Sequence, residues 1–399
     1  MVTHAILALA VAMRAPASGA YRLAGRTVYV GPEAEPSDRP TTQYYDSKTR
    51  RIGTLTYVSG HEYKTDGSPS MVFRLNSPAS AVVEQPFVIE HGANRLGASL
   101  WHAPGAKRRA TIVLIHGADD ETRATGFLIP YFVSHGLNVV TYDQRGTGIS
   151  TGNWQYTSPV SKADDVVAAL NFIQSDSAVD ARRVGAWAVS NGGWVAPIVA
   201  TRFPLAFMIL KSSPSGSIAE NIVYEIGQDL HRSGHFNPKH ISDALAFERM
   251  MMRSLETNAG WLSANQALIA ARSQPWFPYM RIPPGMTAPP PARMLAALQA
   301  AAIYDPASLQ RTFMPTLALF GTLDHNVDAP RSIARMRELF DRAGRAGDLT
   351  VVTLSGAGHT LERSATGFMD DPLLPERFVA GYPETMISWL REKGFVRAH

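Results

Sequence analysis

Apolar and polar positions along the chain fall into three regimes. Over residues 21–76, short branched and aromatic runs such as Thr27-Val28-Tyr29-Val30, residues 52–58 and residues 71–75 are separated by Gly31-Pro32 and Asp66-Gly67-Ser68-Pro69. Runs of this kind bounded by turn formers predict a small antiparallel β extension. From Val82 the pattern changes. Residues 82–90 and 95–102 read as strands around a His91-Gly92-Ala93-Asn94 turn, and strands then alternate with helices. Residues 110–115, 137–142, 183–189 and 205–210 are strand-like, while 160–174 and 192–201 are helical, with Val166, Val167, Leu170 and Ile173 on one face. Continuous branched strands alternating with amphipathic helices predict an α/β fold, a mostly parallel sheet with helices on both faces.

The alternation stops over residues 212–305, a helical stretch with a Met-rich Phe247-Glu248-Arg249-Met250-Met251-Met252 run and proline clusters at 275–291. It resumes with strands at 315–320 and 349–354 and helices at 330–343 and 383–393. A helical block between two halves of one sheet predicts a lid. The expected organisation is a β-rich extension over 21–80, core over 81–211, helical lid over 212–305 and core again over 306–399.

The first twenty residues stand apart. Residues 5–13 (AILALAVAM) are apolar but too short to span a bilayer, and small Ser18 and Ala20 fit the −3 and −1 positions of a processing site. This predicts an export signal over 1–20 and a periplasmic or secreted protein. The front end is poor in charge, with only His4 before the run, and the alternative is an apolar N-terminal strand on a cytoplasmic protein. No other apolar stretch approaches membrane-spanning length, so no stable membrane insertion is expected.

Composition narrows the chemistry. The 399 residues hold no cysteine, which excludes a Cys nucleophile, a thiolate metal site and a disulfide framework. The 38 basic against 34 acidic residues give a net charge of +4 with no long basic run, so no nucleic-acid partner is expected.

The sharpest local signal is Val184-Gly185-Ala186-Trp187-Ala188-Val189-Ser190-Asn191-Gly192-Gly193. A buried strand turning straight into a helix pushes the intervening Ser outward, and only small residues fit two before and two after it. Taken alone, the rival reading of Ser190 is a cap on the helix. A Ser nucleophile needs a base, which on this kind of sheet follows an acid in chain order. Asp324 lies just past the strand that ends in Phe320-Gly321, and His359 lies on Ser355-Gly356-Ala357-Gly358 after the next strand. Acyl transfer also needs oxyanion donors, expected at the backbone amides of Asn191 and Ala118. His116 also ends a strand, but it precedes Ser190 in the chain and is assigned to shaping the Ala118 loop.

These residues resemble the α/β-hydrolase superfamily from about Val82 onward. Asp143-Gln144-Arg145-Gly146-Thr147-Gly148-Ile149-Ser150-Thr151-Gly152 is similar to a segment found after the fourth strand of many members. Together with Ser190-Asn191-Gly192-Gly193-Trp194 it resembles bacterial esterases near the prolyl-oligopeptidase-like and bile-acid-CoA-acyltransferase-like families. The resemblance implies a Ser190, Asp324 and His359 triad. The chain departs from the usual pattern at Ala188, where the first elbow Gly is expected, and at Ala118-Asp119-Asp120 after His116-Gly117.

Weaker constellations point elsewhere. Gly146-Thr147-Gly148 lacks the third glycine spacing and the helix of a dinucleotide loop. His231, His235 and His240 are interrupted by Gly234 and Pro238, so no metal and no cofactor are expected. Met250, Trp276 and Phe277 either pack the lid or line an acyl pocket. The reading is a serine hydrolase acting on a small-molecule carboxylic ester. A peptidase or acyl thioesterase would use the same triad, and a non-catalytic ligand-binding protein of this fold is the rival from another class.

Overall fold

The computed structural model describes residues 15–33, 42–105, 107–312, 314–371 and 377–397. The apolar run at 5–13 lies outside them. Two sheets organise the chain. The first contains β1 (Gly19–Leu23), β2 (Arg26–Glu33), β3 (Thr42–Asp46), β4 (Arg51–Ser59), β5 (Glu62–Thr65), β6 (Val72–Arg74) and β7 (Ser80–Ala81) in the order β6-β5-β4-β3-β2-β1-β7. Its neighbours are antiparallel, as the turn-punctuated pattern predicts. The proposed processing point after Ala20 falls inside β1, where Ala20 is buried.

One face of this sheet forms its own cluster of Tyr21, Val28, Val30, Tyr44 and Phe73. The other carries Tyr29 and Tyr45 onto the rest of the chain. Tyr45 packs against Phe127, Tyr131 and Phe378, and its hydroxyl donates to Glu384 Oε1 at 2.9 Å. The extension is therefore fastened to the larger unit by buried aromatic area and one charge-assisted hydrogen bond.

The second sheet begins with the antiparallel hairpin β8 (Val83–His91) and β9 (Asn94–His102), turning at Gly92-Ala93. It continues through β10 (Arg109–Ile115), β11 (Asn138–Tyr142), β12 (Val179–Val189), β13 (Met208–Lys211), β14 (Thr316–Gly321) and β15 (Leu349–Leu354). The order is β15-β14-β13-β12-β10-β11-β9-β8, and the six strands from β15 to β11 run parallel. This is the α/β fold expected.

Alternation along each strand feeds two cores. On β10, Val113 and Ile115 face the cluster shared with α2 (Pro159–Ile173), α3 (Gly192–Ala200) and α8 (Ala329–Arg342). Ile112 and Leu114 face α1 (Leu128–Ser134) and α9 (Glu384–Glu392). Helix α1 was not anticipated. Residues Leu128 to Val133 are all buried, so the segment shows no polar face from which a helical period could be read.

Between β13 and β14 the chain forms α4 (Ile218–Ser233), α5 (Pro238–Thr257), α6 (Trp261–Ala271) and α7 (Ala292–Ala302). Ser217 caps α4 with Glu220 in a reciprocal capping box, and Gly234 closes it in the left-handed region at φ 66°. These helices surround a core of Ile226, Leu230, Phe247, Met251, Leu268 and Trp276.

One polar group breaks that core. Glu248 on α5 is 2% exposed and its Oε2 has no hydrogen-bond partner among the described residues. Burial pushes its carboxyl up to about 7, against the lowering pull of Arg281. The folded state then holds a proton that the unfolded chain releases above its ordinary value of 4.5, so stability is lost as pH rises from 4.5 through 7. Replacing Glu248 by Gln should raise the unfolding free energy by about 1–3 kcal/mol at pH 8, with the gain shrinking towards pH 5. Urea melts at the two pH values check this; an equal effect at both would place the ionisation elsewhere.

Candidate active site

Ser190 follows β12 directly and has φ 51°, a left-handed conformation rare for any residue with a Cβ. Its amide donates to the Lys211 carbonyl at 3.0 Å, tying the turn to the end of β13. The turn depends on the glycines that follow. A Cβ on Gly192 would stand 2.8 Å from both the Ile115 and His116 carbonyl oxygens, and one on Gly193 would stand 2.3 Å from Ser213 Cβ. Helix α3 can therefore start against the neighbouring backbone only without side chains there. The same spacing accounts for Ala188, whose Cβ lies 3.3 Å from the position a Gly192 Cβ would take. A methyl fits at 188 because Gly192 vacates the space.

The loop after β10 runs alongside this turn. A Cβ on Gly117 would lie 3.5 Å from Ser190 Cβ, so Gly117 passes beside the serine. Among the described residues, neither the Asn191 nor the Ala118 amide has an acceptor. His116 anchors the loop from below. Its Nε2 donates to the Tyr142 carbonyl at 2.6 Å and its Nδ1 lies 2.7 Å from Glu121 Oε2. With both ring nitrogens engaged, His116 has none left to serve as a base. Burial would raise the Glu121 carboxyl, yet the hydrogen bond and charge of His116, aided by Lys211, hold it below its usual range.

Asp324 follows β14 and His359 follows β15, both on the edge where Ser190 emerges. His359 Nδ1 lies 3.1 and 3.0 Å from the two Asp324 oxygens, with the Asp324 side chain fully buried and that of His359 11% exposed. Asp324 Oδ1 also accepts from the amides of Asn326 and Val327, both at 2.9 Å. Held this way, the carboxylate fixes both the tautomer and the orientation of the ring, leaving Nε2 free. The His359 carbonyl accepts from Ser212 Oγ at 2.7 Å, which links the histidine loop to the residue after β13. Among the described residues Ser190 Oγ makes no hydrogen bond to His359, a contact that in unliganded sites often closes only with substrate.

Charge concentrates around this edge. Lys211 ends β13 beside the serine turn. Burial pulls its ammonium down to about 8 against the raising pull of Glu362, Glu121 and Asp324. Partial burial, with Glu121 and Asp120 near it, pushes the Asp119 carboxyl up, while His359 pulls it down. The segment from Asp143 to Gly152 serves the frame. Asp143 is fully buried and accepts from the Arg123 and Ile149 amides at 2.8 and 3.0 Å, and Arg145 forks onto Asp165 at 2.7 and 2.8 Å. Gly148 is required, since a Cβ there would stand 2.4 Å from the Asp143 carboxyl.

The apolar candidates sit elsewhere. Trp276 is 4% exposed and packs against Phe247 at 5.7 Å between ring centroids; Phe277 stands against the same ring at 6.4 Å, and Met250 is exposed on α5. Trp276 and Phe277 give area to the core of the insertion. Sequence reasoning missed Glu121, Tyr224 and Asn326; Tyr224 meets the site only through a tertiary contact, while Glu121 and Asn326 reach His116 and Asp324 from within the same loops.

The sequence pattern of the family described as serine aminopeptidase S33 matches residues 106–364, more than half of the chain. Among curated proteins, an uncharacterised 31.7 kDa protein from the traX-finO intergenic region of Escherichia coli is 28% identical over 93 residues. That match covers 22% of this chain and 32% of the relative, so the chain spans about a third of that protein's length. Among solved structures, DcsB in complex with its substrate analogue is similar with a TM-score of 0.47 at 16% identity, over 78% of this chain and 97% of that one. The Butyrivibrio proteoclasticus Est1E with bound ferulic acid gives 0.46 at 14% identity, covering 77% and 97%. The Pyrococcus furiosus esterase Pf2001 gives 0.45 at 13%, covering 79% and 92%.

The strained serine makes a prediction about stability that is independent of turnover. Glycine adopts a positive φ without steric cost, whereas alanine keeps the strain. Ser190→Gly should be more stable than Ser190→Ala by about 1 kcal/mol in urea unfolding. Equal stability would show that the turn is not strained.

Proposed function

Because the chain belongs to the serine aminopeptidase S33 family of α/β hydrolases, we propose that it is a serine hydrolase cleaving carboxylic esters through an acyl-enzyme on Ser190. One observation carries this reading: an outward serine at φ 51° shares a sheet edge with a histidine whose Nδ1 is held by a buried carboxylate. Ser190 Oγ attacks the ester carbonyl as His359 Nε2 takes its proton. Asp324 accepts the Nδ1 proton's hydrogen bond and stabilises the imidazolium. The oxyanion is held by the Asn191 and Ala118 amides, and His359 then returns the proton to the leaving alkoxide. Water attacks the acyl-enzyme by the same steps in reverse, freeing the acid. Esters are favoured because an alkoxide leaves more readily than an amine and asks less of the proton donor.

The peptidase reading has its own support. The family description names an aminopeptidase, and the Asp119 carboxylate, close enough to His359 to interact with it, would suit a substrate ammonium. Turnover of ester, thioester and aminoacyl-anilide substrates sharing one acyl group separates the readings. Ester turnover without measurable anilide hydrolysis is expected; anilide cleavage that Ser190→Ala abolishes would establish a peptidase. The helical insertion follows β13 at the same edge, and in this reading it acts as a lid that restricts which acyl groups reach Ser190.

Ser190→Ala should lose on the order of 10⁴–10⁶ in kcat and all labelling by a fluorophosphonate probe. His359→Ala should approach that loss, whereas His116→Ala should cost less because it acts only through the loop it anchors. A labelled Ser190→Ala protein would assign the nucleophile to another residue, and the reverse histidine ranking would overturn the choice of base. A binding protein without turnover would leave the wild-type chain unlabelled.

A further inference from the structure

The insertion does more than stand over the site, because two consecutive residues of α4 grip the loop that carries Asp324. Tyr224 donates its hydroxyl proton to the Asp324 carbonyl at 3.3 Å. Beside it, Glu225 Oε1 accepts from Asn326 Nδ2 at 3.1 Å. Asn326 therefore has two attachments: its amide helps hold the Asp324 carboxylate, and its side chain is anchored on the insertion. Glu225 is itself fixed by Arg281, whose Nη2 lies 3.1 Å from Glu225 and 3.0 Å from Asp229. Arg281 belongs to the insertion as well, in the segment between α6 and α7.

We propose that Asn326 and Glu225, the latter held by Arg281, are positioning residues that keep Asp324 in register with His359. The insertion thereby sets the strength of the base as well as access to it. This rests on the reading of Asp324 as the acid of the triad. The argument turns on what these contacts are worth. Arg281 and Glu225 have side chains 43% and 27% exposed, and ion pairs of that exposure add little to folding. Their effect on geometry is another matter. Asp324 holds His359 through bonds of 3.0 and 3.1 Å, and displacement of a catalytic group by about 1 Å can cost up to 10²-fold in rate. A contact that is weak in stability but sits one bond from the acid is suited to position rather than to support.

The test measures kcat and KM on p-nitrophenyl acetate together with the labelling rate by a fluorophosphonate, which reports serine reactivity without substrate selection. Asn326→Ala and Glu225→Ala should each lower kcat and labelling by roughly tenfold, with KM within about twofold and little change in Tm. Glu225→Gln keeps an oxygen acceptor for Asn326 and should recover most of the rate. The double Glu225→Ala, Asn326→Ala variant should be no slower than Asn326→Ala alone, because both remove one linkage. Normal labelling in both alanine variants, a change confined to KM, or additive losses would overturn the proposal while Asp324→Asn remained slow. If Asp324→Asn itself labels at the wild-type rate, the triad reading fails and this inference with it. Should Asn326→Ala not fold, the Glu225→Ala and Glu225→Gln pair carries the test.

Discussion

Parallel pairing of six strands is the constraint on which the site depends. Because β11, β10, β12, β13, β14 and β15 all run the same way, every loop that leaves a carboxyl end opens on one edge. Ser190, Ser212, Asp324 and His359 are the products of four adjacent strand ends. Residues far apart in the chain become neighbours without any of them needing to be near the others in sequence. The register also determines spacing: Ser190 pairs through its amide with Lys211, and Ser212 pairs through its hydroxyl with the histidine loop. A slip of one residue in β13 would turn its alternate faces over and break both links.

Within that frame, close backbone approach does what side chains cannot. Gly192 lies so near the Ile115 and His116 carbonyls that no Cβ is tolerated, and Gly321 meets the Ala357 and Gly358 carbonyls in the same way. The first approach presses the serine turn against the loop after β10. The second presses the end of β14 against the loop carrying His359. Strain at Ser190 is the local cost of the first contact, and the packed elements around it hold the serine in place.

Polar groups buried under the edge stiffen the loops above. His116 joins the loop after β10 to Tyr142 and Glu121, and Asp143 draws in Arg123 and the Ile149 amide. Networks of this kind are costly if half satisfied and rigid if complete. The helical insertion adds Tyr224 and Glu225 from the opposite side. The N-terminal sheet is locked by Tyr29 and Tyr45 onto α1 and α9, and its Gln43 lines a cavity together with His116 and Glu121. Its contribution is to cover the apolar surface of those helices.

Much of this was legible in the chain. Branched runs alternating with amphipathic helices specified the sheet, because burial on both faces and on one face leave different periods. The order Ser190, Asp324, His359 could be read because each residue sits next to a strand end and small neighbours mark its turn. Ala188, a departure in the sequence, is explained only by the structure, where Gly192 leaves room for its methyl. The all-apolar α1 was not legible, since a segment buried on every side leaves no period. Nor was the fate of Met250, Trp276 and Phe277: an apolar side chain on a lid helix has the same signature whether it faces a substrate or another helix. Tyr224 and Glu225 gain their roles from partners in another element, and only the folded chain brings those partners within hydrogen-bond reach. Local pattern determines which elements form and where turns expose a reactive group. Which polar side chains then hold that group in place is decided by packing between elements, because such contacts join residues whose separation in sequence carries no regular spacing.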